Sequence, residues 1–216
     1  QGDDSLDGGT GTDIAVFSGA KSNYTITKTV PGYTVTDNVG SDGTDTLVGI
    51  EKLQFSDQTF TPQKIANDYN GDGKSDILFQ NSTTGAILQL QINGTSVIAN
   101  AVVTNPGTTW RVAGTGDYNG DGKNDLLLQH NTTGVVWEYQ LNGTTITGSG
   151  SVAGPGVDWK VVGDGDYNGD GKSDILLRSD STGIIWLYQL DGTAVTGGGG
   201  VAGPGTDWKV VGDGDY

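Results

Sequence analysis

The sequence predicts an all-β fold that is built mainly from one repeated unit. The motif DYNGDGKSD at residues 68–76 returns as DYNGDGKND at 117–125 and as DYNGDGKSD at 166–174, and a fourth copy has begun at 215–216. The copies therefore start every 49 residues, a period that indicates stacked or radially repeated supersecondary units. The chain also contains 38 glycines and many short apolar runs, and no stretch has convincing helical periodicity.

Four short strands are predicted in each unit. In the second unit they are expected at residues 126–129, 135–141, 144–152 and 159–162, with a hairpin turn at Asn142 and Gly143. Four antiparallel strands in a unit of this length are the build of a β-propeller blade. Three such blades over residues 63–216 are fewer than a closed propeller needs, so we expect an incomplete propeller or part of a larger array.

Each nine-residue motif presents the oxygen donors that Ca²⁺ takes. Side-chain oxygens stand at positions 1, 3, 5 and 9, a backbone carbonyl fills position 7, and glycine at position 6 allows a sharp turn. Three carboxylates repel one another when drawn together, so we expect metal binding and loop folding to be coupled. The alternative is a set of solvated Asp, Asn and Gly turns. The candidate metal ligands are Asp68, Asn70, Asp72, Lys74, Asp76, Asp117, Asn119, Asp121, Lys123, Asp125, Asp166, Asn168, Asp170, Lys172 and Asp174, with each lysine acting through its carbonyl.

The loops differ from EF-hands in the residues that come after them. An EF-hand needs a glutamate at position 12, where this chain has Phe79, Leu128 and Leu177. A calcium loop that leads into a buried strand and is preceded by VVGDGD, as at residues 161–166, resembles the FG-GAP (VCBS-type) repeat of integrin α-subunit propellers and of many secreted bacterial proteins. The resemblance covers about residues 61–216 and implies blades that bind calcium.

The first sixteen residues form a second calcium-type pattern. GGTGTDIAV at residues 8–16 fits a glycine-rich nonapeptide, and residues 2–7 fit the second half of a preceding one. The pattern resembles the last turn of an RTX (haemolysin-type) β-roll, in which Asp4 and Asp13 would be calcium ligands while Leu6 and Ala15 face inward. The rival interpretation is a flexible Gly/Asp linker.

Residues 17–62 are expected to form a small β-rich cap. Alternating segments at 24–30, 33–35 and 53–55 are separated by the turn signals PG at 31–32 and GSDG at 40–43. The phrase DTLVGIEKLQFSD at residues 45–57 resembles the sequence that commonly closes an RTX array. A cap at this position would cover the open end of the roll.

Composition excludes several classes of function. The formal net charge is −15, which makes nucleic acids and anionic membranes poor partners, and no apolar run is long enough to span a bilayer. The chain has no cysteine, and its one histidine, His130, is expected at the surface; Cys/His nucleophile pairs and multi-histidine zinc sites therefore lack their parts. We expect no enzymatic activity.

Five tryptophans recur with the repeat and admit two interpretations. Aromatic faces beside polar edges suit sugar rings, whereas the same side chains would also serve as core between blades. Leu88 replaces tryptophan at the equivalent position of the first unit, which favours the core. The candidate glycan-binding residues are Trp110, Trp137, Trp159, Trp186 and Trp208.

The sequence thus predicts a calcium-binding, non-enzymatic structural or adhesion module of a secreted or surface-exposed bacterial protein. Extracellular Ca²⁺ is high enough to fill weak sites, which agrees with that location. The alternatives are a lectin-like carbohydrate-binding propeller and an accessory region of a secreted exoenzyme. The expected partners are calcium, together with cell-surface glycans or further copies of the chain as candidates.

Overall fold

A computed structural model describes residues 2–9, 13–29, 32–60, 62 and 65–212. Within these residues the only helical element is one 3-10 turn, Lys21–Asn23, and all other regular structure is β, which confirms the all-β part of the predicted fold class. No helix in this part of the chain is long and apolar enough to cross a membrane. The expected start of a fourth repeat at residues 215–216 and the expected turn residue Pro31 lie outside the described residues.

The N-terminal region forms two small sheets that share one core. The sheet orders are β1-β5-β4-β3 and β2-β6-β7. Its strands are β1 (Ser5–Asp7), β2 (Ile14–Val16), β3 (Tyr24–Lys28), β4 (Tyr33–Asp37), β5 (Thr44–Val48), β6 (Lys52–Gln54) and β7 (Thr59–Phe60). β1 pairs in parallel with β5, and β2 pairs in parallel with β6. Both strands of the glycine-rich start therefore pair with a strand of the following segment, residues 17–62.

The core between these sheets is largely aromatic. The ring centroids of Phe17, Tyr24 and Phe55 lie 5.1–5.3 Å apart, and Val35 is fully buried beside them. Ala15 is buried, as predicted. The prediction that Leu6 faces inward is wrong. All of β1 is exposed at the edge of its sheet, and Leu6 is 39% exposed to solvent.

The rest of the chain forms three antiparallel sheets. We call them sheet 1 (order β10-β9-β8), sheet 2 (β11-β12-β13-β14) and sheet 3 (β15-β16-β17-β18). The strands are β8 (Ile77–Gln80), β9 (Ile87–Asn93), β10 (Ser96–Thr104), β11 (Trp110–Gly114), β12 (Leu126–His130), β13 (Val136–Asn142), β14 (Thr145–Ala153), β15 (Trp159–Gly165), β16 (Asp174–Ser179), β17 (Ile185–Asp191) and β18 (Ala194–Ala202).

The sheets do not begin where the sequence repeat begins. The predicted fourth strand of the second unit, near Trp159, instead opens sheet 3, where β15 pairs with β16. The Gly-Pro-Gly segment at 154–156 carries the chain from sheet 2 to sheet 3, and in both of these sheets the nine-residue motif connects the first two strands.

Sheet 1 has three strands within the described residues rather than the predicted four. The counterpart of its first strand, 49 residues before β11, falls on residues 61–65, of which 61, 63 and 64 lie outside the described part of the chain.

The three sheets pack on one another through two apolar cores. Leu126 and Leu128 belong to the core between sheets 1 and 2, whereas Leu127 belongs to the core between sheets 2 and 3. β12 is therefore buried on both faces, which explains its uninterrupted apolar run. β8 is an edge strand of sheet 1, and its residues Ile77 and Phe79 are 43% and 51% exposed to solvent.

Candidate metal centre

The three repeated motifs form three loops with the same local structure. Loop 1 spans residues 68–76, loop 2 spans 117–125 and loop 3 spans 166–174. The glycines at positions 4 and 6 of every loop have φ between 78° and 88°, a conformation that side-chain-bearing residues rarely adopt. Two glycines in this conformation turn the chain tightly enough to place the polar side chains of one motif on one hairpin.

The first aspartate of each loop is the centre of its turn. In loop 2, the Asp117 Oδ1 atom accepts hydrogen bonds from the N–H groups of Gly120 and Asp121 at 2.7 and 3.0 Å. The Asp117 Oδ2 atom accepts a further bond from the Gly122 N–H at 3.0 Å. The same three bonds hold Asp68 and Asp166.

Positions 3 and 5 extend the turn in the same manner. In loop 2, the Asn119 Oδ1 atom accepts the Asp121 N–H at 2.9 Å, and the Asp121 Oδ1 atom accepts the Lys123 N–H at 3.0 Å. Loops 1 and 3 repeat both contacts. The predicted donors at positions 1, 3 and 5 are thus ordered by backbone N–H groups within each loop.

The aspartate at position 9 ties each loop to its sheet. In loop 2, Asp125 accepts the Tyr118 N–H at 3.3 Å and the Leu141 N–H at 2.9 Å. Burial raises the pKa of Asp125 to about 8, an effect that the Leu141 bond partly offsets and that nearby carboxylates reinforce. Burial likewise raises the pKa of Asp174 to about 6 and also raises the pKa of Asp76.

The donor chemistry of each loop fits Ca²⁺, which takes hard oxygen ligands on a flexible turn. Among the residues that the structure describes, no three His, Cys, Asp or Glu side chains come close enough to form a metal site by themselves. Each predicted donor set contains only three carboxylates, and its other members are an amide and a carbonyl oxygen. Within each loop, the carboxylates at positions 1 and 5 accept hydrogen bonds from backbone N–H groups of the same turn.

The tyrosine at position 2 has a structural role that the sequence analysis missed. Tyr69 and Tyr118 are fully buried in the cores between successive sheets. The Tyr118 hydroxyl donates a 2.8 Å hydrogen bond to the Asp164 Oδ2 atom of the next sheet, and Asp164 also accepts the Thr115 N–H at 2.7 Å. The recurrence of tyrosine in every copy of the motif is the signal that could have identified it.

Direct backbone hydrogen bonds join successive loops. The Asn124 N–H of loop 2 donates to the Asp68 carbonyl of loop 1 at 2.8 Å, and the Ser173 N–H of loop 3 donates to the Asp117 carbonyl of loop 2 at 2.7 Å. The three loops therefore lie beside one another in register, and a change in the shape of one loop acts on its neighbour.

The backbone N–H groups of Asp4 and Asp13 donate to two different carboxylates. The Asp4 N–H donates to the Asp45 carboxylate at 2.9 Å, whereas the Asp13 N–H donates to the Glu51 carboxylate at 2.8 Å. Asp4 precedes β1 and Asp13 precedes β2, which belong to different sheets. Their role as calcium ligands stays a prediction.

The tryptophans occupy different environments. Trp110 packs edge-to-face on His130, with the ring centroids 4.8 Å apart, so the expected surface histidine is partly covered. The ring centroids of Trp137 and Tyr139 lie 6.5 Å apart, and Trp208 is 68% exposed to solvent. A cavity of about 230 Å³ is lined by Pro155, Trp159, Leu177, Trp186 and Tyr188.

Comparison with known proteins gives one match. The FG-GAP-like repeat family matches residues 68–128, which run from loop 1 through sheet 1 and loop 2 into β12. No curated protein and no solved structure matches the chain significantly. The matched segment contains two successive loops, so it coincides with the repeat described above.

Proposed function

We propose that the chain is a calcium-binding, non-enzymatic repeat module of an extracellular protein, with a structural or adhesive role. The observation that carries the proposal is the repetition of one oxygen-rich loop three times with the same hydrogen bonds. The FG-GAP-like match at residues 68–128 supports an extracellular repeat module.

Calcium would change the energetics of the loops. Each loop holds three carboxylates, and in loop 2 burial already opposes the charged form of Asp125. Three Ca²⁺ ions would bring six positive charges to a chain of net charge −15. Because successive loops are hydrogen-bonded to one another, calcium at one loop would also stabilise the packing of adjacent sheets.

The N-terminal region supports a secreted bacterial origin within this proposal. The glycine-rich start resembles the end of an RTX roll, and its two short strands pair in parallel with β5 and β6, as the turns of a parallel roll do. The blades would then be displayed at the cell surface or in the medium, where Ca²⁺ fills weak sites and completes folding.

The experiment is scanning calorimetry of the metal-free chain with added Ca²⁺, added Mg²⁺ and a chelator. We expect Ca²⁺ to raise Tm strongly and Mg²⁺ to do so weakly, because Mg²⁺ demands a tighter octahedron. The matched control replaces Asp72, Asp121 and Asp170 together with asparagine, which keeps the shape of each loop but removes one charge from it. A Tm that the chelator leaves unchanged would refute the proposal.

A second candidate function is carbohydrate binding at the cavity beside Trp186. Three aromatic side chains, those of Trp159, Trp186 and Tyr188, line the cavity, and aromatic rings suit the apolar faces of a sugar ring. Trp186→Ala should abolish binding on a glycan array while Tm is retained, whereas Trp208→Ala, outside the cavity, should not. Equal loss in both variants, or no glycan binding by the unmodified chain, would contradict this candidate.

A further inference from the structure

The three loops are nearly identical in sequence, yet one buried position beside them differs. Counting by the 49-residue period, this position holds Gln89 in β9, Glu138 in β13 and Leu187 in β17. Gln89 and Glu138 are fully buried, and Leu187 is half-buried. The repeat therefore places a neutral amide, a carboxylate and a hydrocarbon at equivalent positions of successive sheets.

Glu138 is a buried carboxylate without a hydrogen-bond partner among the described residues. Neither of its oxygens accepts a hydrogen bond from them, and both are inaccessible to solvent. The Gln140 amide lies close enough to favour the charged form but not in a geometry that makes a hydrogen bond. An ionised carboxylate in such a position is strongly destabilising unless a cation compensates it.

Glu138 and loop 2 meet in the same space between sheets 2 and 3. Glu138 pairs across the strands with Leu127, and directly opposed residues of an antiparallel pair point to the same face. That face carries the core shared with sheet 3, where Tyr118 of loop 2 is also buried. The negative charges of Asp117 and Glu138 act on each other, and Glu138 acts in the same way on Asp125.

The ammonium groups beside loop 2 are already engaged with other carboxylates. The Lys123 Nζ atom lies 3.3 Å from the Asp121 carboxylate, and the Lys172 Nζ atom lies 2.9 Å from the Asp191 carboxylate. Within the described residues neither of them reaches Glu138, whose oxygens have no partner. Loop 2 and Glu138 together thus contain four carboxylates, of which only Asp121 contacts the Lys123 ammonium group.

We propose that Glu138 supplies loop 2 with an additional negative charge and makes it the tightest of three unequal divalent-cation sites. This inference rests on the proposed calcium function. Loop 1 has the neutral Gln89 in the corresponding place, and the Lys28 ammonium already contacts its first aspartate at 2.6 Å. Loop 3 has Leu187. Calcium then fills loop 2 first, and the hydrogen bonds to the Asp68 and Asp117 carbonyls carry its ordering effect to loops 1 and 3.

The chain supplies its own matched variants. Glu138→Gln reproduces the residue of the first unit, Glu138→Leu reproduces that of the third, and Gln89→Glu moves the carboxylate to sheet 1. Calcium binding to the full metal-free chain is measured by titration calorimetry for each of them. Asp72→Asn, Asp121→Asn and Asp170→Asn weaken the loops one at a time and so assign the sites.

We expect one tight and two weaker sites, with the tight site lost in Asp121→Asn. Glu138→Gln should weaken that site by about tenfold or more, the size of effect that one nearby charge has at an effective dielectric constant of about 20. The two weaker sites should be weakened less than the loop 2 site. Gln89→Glu should tighten a site that Asp72→Asn abolishes.

Thermal stability gives a second, independent measurement. Without calcium, Glu138→Gln and Glu138→Leu should melt at a higher temperature than the unmodified chain, because an uncompensated buried carboxylate is gone. In saturating calcium the order should reverse or the difference should vanish.

Three equal sites in the unmodified chain, or a Tm increase in Glu138→Gln that is the same with and without calcium, would overturn the inference and leave the calcium function standing. Absence of calcium binding by the unmodified chain would overturn both.

Discussion

The Lys28 Nζ atom lies 2.6 Å from the Asp68 Oδ2 atom and joins the N-terminal sheets to loop 1. Asp68 is fully buried and Lys28 is 16% exposed, so the ion pair is largely shielded from water. Loop 1 therefore already has one positive charge against the first of its predicted calcium ligands.

Lys28→Met tests this contact. Without calcium the change should lower the free energy of unfolding by about 1–3 kcal/mol, because a buried carboxylate loses a charged partner. In saturating calcium the loss should be smaller. The control is Lys74→Met, whose ammonium is 46% exposed and lies 3.3 Å from Asp72; an exposed pair of this kind contributes about 0–1 kcal/mol. Chemical denaturation measures both, and equal losses would contradict a special role for Lys28.

The bond between Tyr118 and Asp164 should couple loop 2 to sheet 3. Tyr118→Phe and Asp164→Ala, made singly and together, form a double-mutant cycle that isolates this hydrogen bond. We expect a coupling energy of about 1–3 kcal/mol, the range for a buried hydrogen bond to a charged group. Additive effects in urea unfolding would show that the two residues act independently.

The metal-free chain should become less stable as the pH rises from 5 to 8. The folded pKa of Asp125 is about 8, above its unfolded value of about 3.9, so between these values the folded state holds a proton that the unfolded state has lost. The slope is at most about 1.4 kcal/mol per pH unit for this group. Glu138 and Asp174, with pKa values of about 7 and 6, add to it in the lower part of the range.

Tm as a function of pH, measured on metal-free protein and again in calcium, checks this dependence. Asp125→Asn should flatten the metal-free curve, and calcium should do the same because it binds the ionised carboxylates. A metal-free Tm that rises from pH 5 to pH 8 would show that the buried carboxylates do not control the stability.

Gly134 should tolerate no side chain. Its φ is 73°, and a Cβ atom would come within 2.1 Å of the Gly156 carbonyl oxygen, in the segment that carries the chain to the next sheet. Gly134→Ala should lower the free energy of unfolding by about 3 kcal/mol or more, since backbone must move. Gly94 has a φ of 61° and free space around it, so Gly94→Ala should lose only about 1 kcal/mol from backbone strain. Equal losses in equilibrium unfolding would contradict the contact with Gly156.

Local signals predicted the strands and loops well. The apolar runs after each motif are strands, and the hairpin predicted from Asn142 and Gly143 is present, although its two turn residues are Gly143 and Thr144 because Asn142 still pairs with Thr145. The sheet to which a strand belongs is harder to predict, because pairing is decided by contacts that the local pattern does not contain. The prediction for the strand at Trp159 is wrong for this reason, since that strand belongs to sheet 3.

The environment of the loops could not be predicted from the motif. Lys28 and Asp68 are 40 residues apart in sequence, and nothing in either segment indicates that they meet. In the sequence, Glu138 is only a residue that the repeat does not keep; its burial beside loop 2 depends on the packing of sheet 3 against sheet 2. The sequence shows what the three loops share, and the structure shows how they differ.

The most direct test of the central claim is the number of calcium ions that the chain binds. Equilibrium dialysis of metal-free protein against Ca²⁺ should give at least three ions per chain, and the variant with asparagine at positions 72, 121 and 170 should bind three fewer at the same concentration. A stoichiometry of zero in the unmodified chain, or one that this triple variant leaves unchanged, would contradict the assignment of the loops as calcium sites.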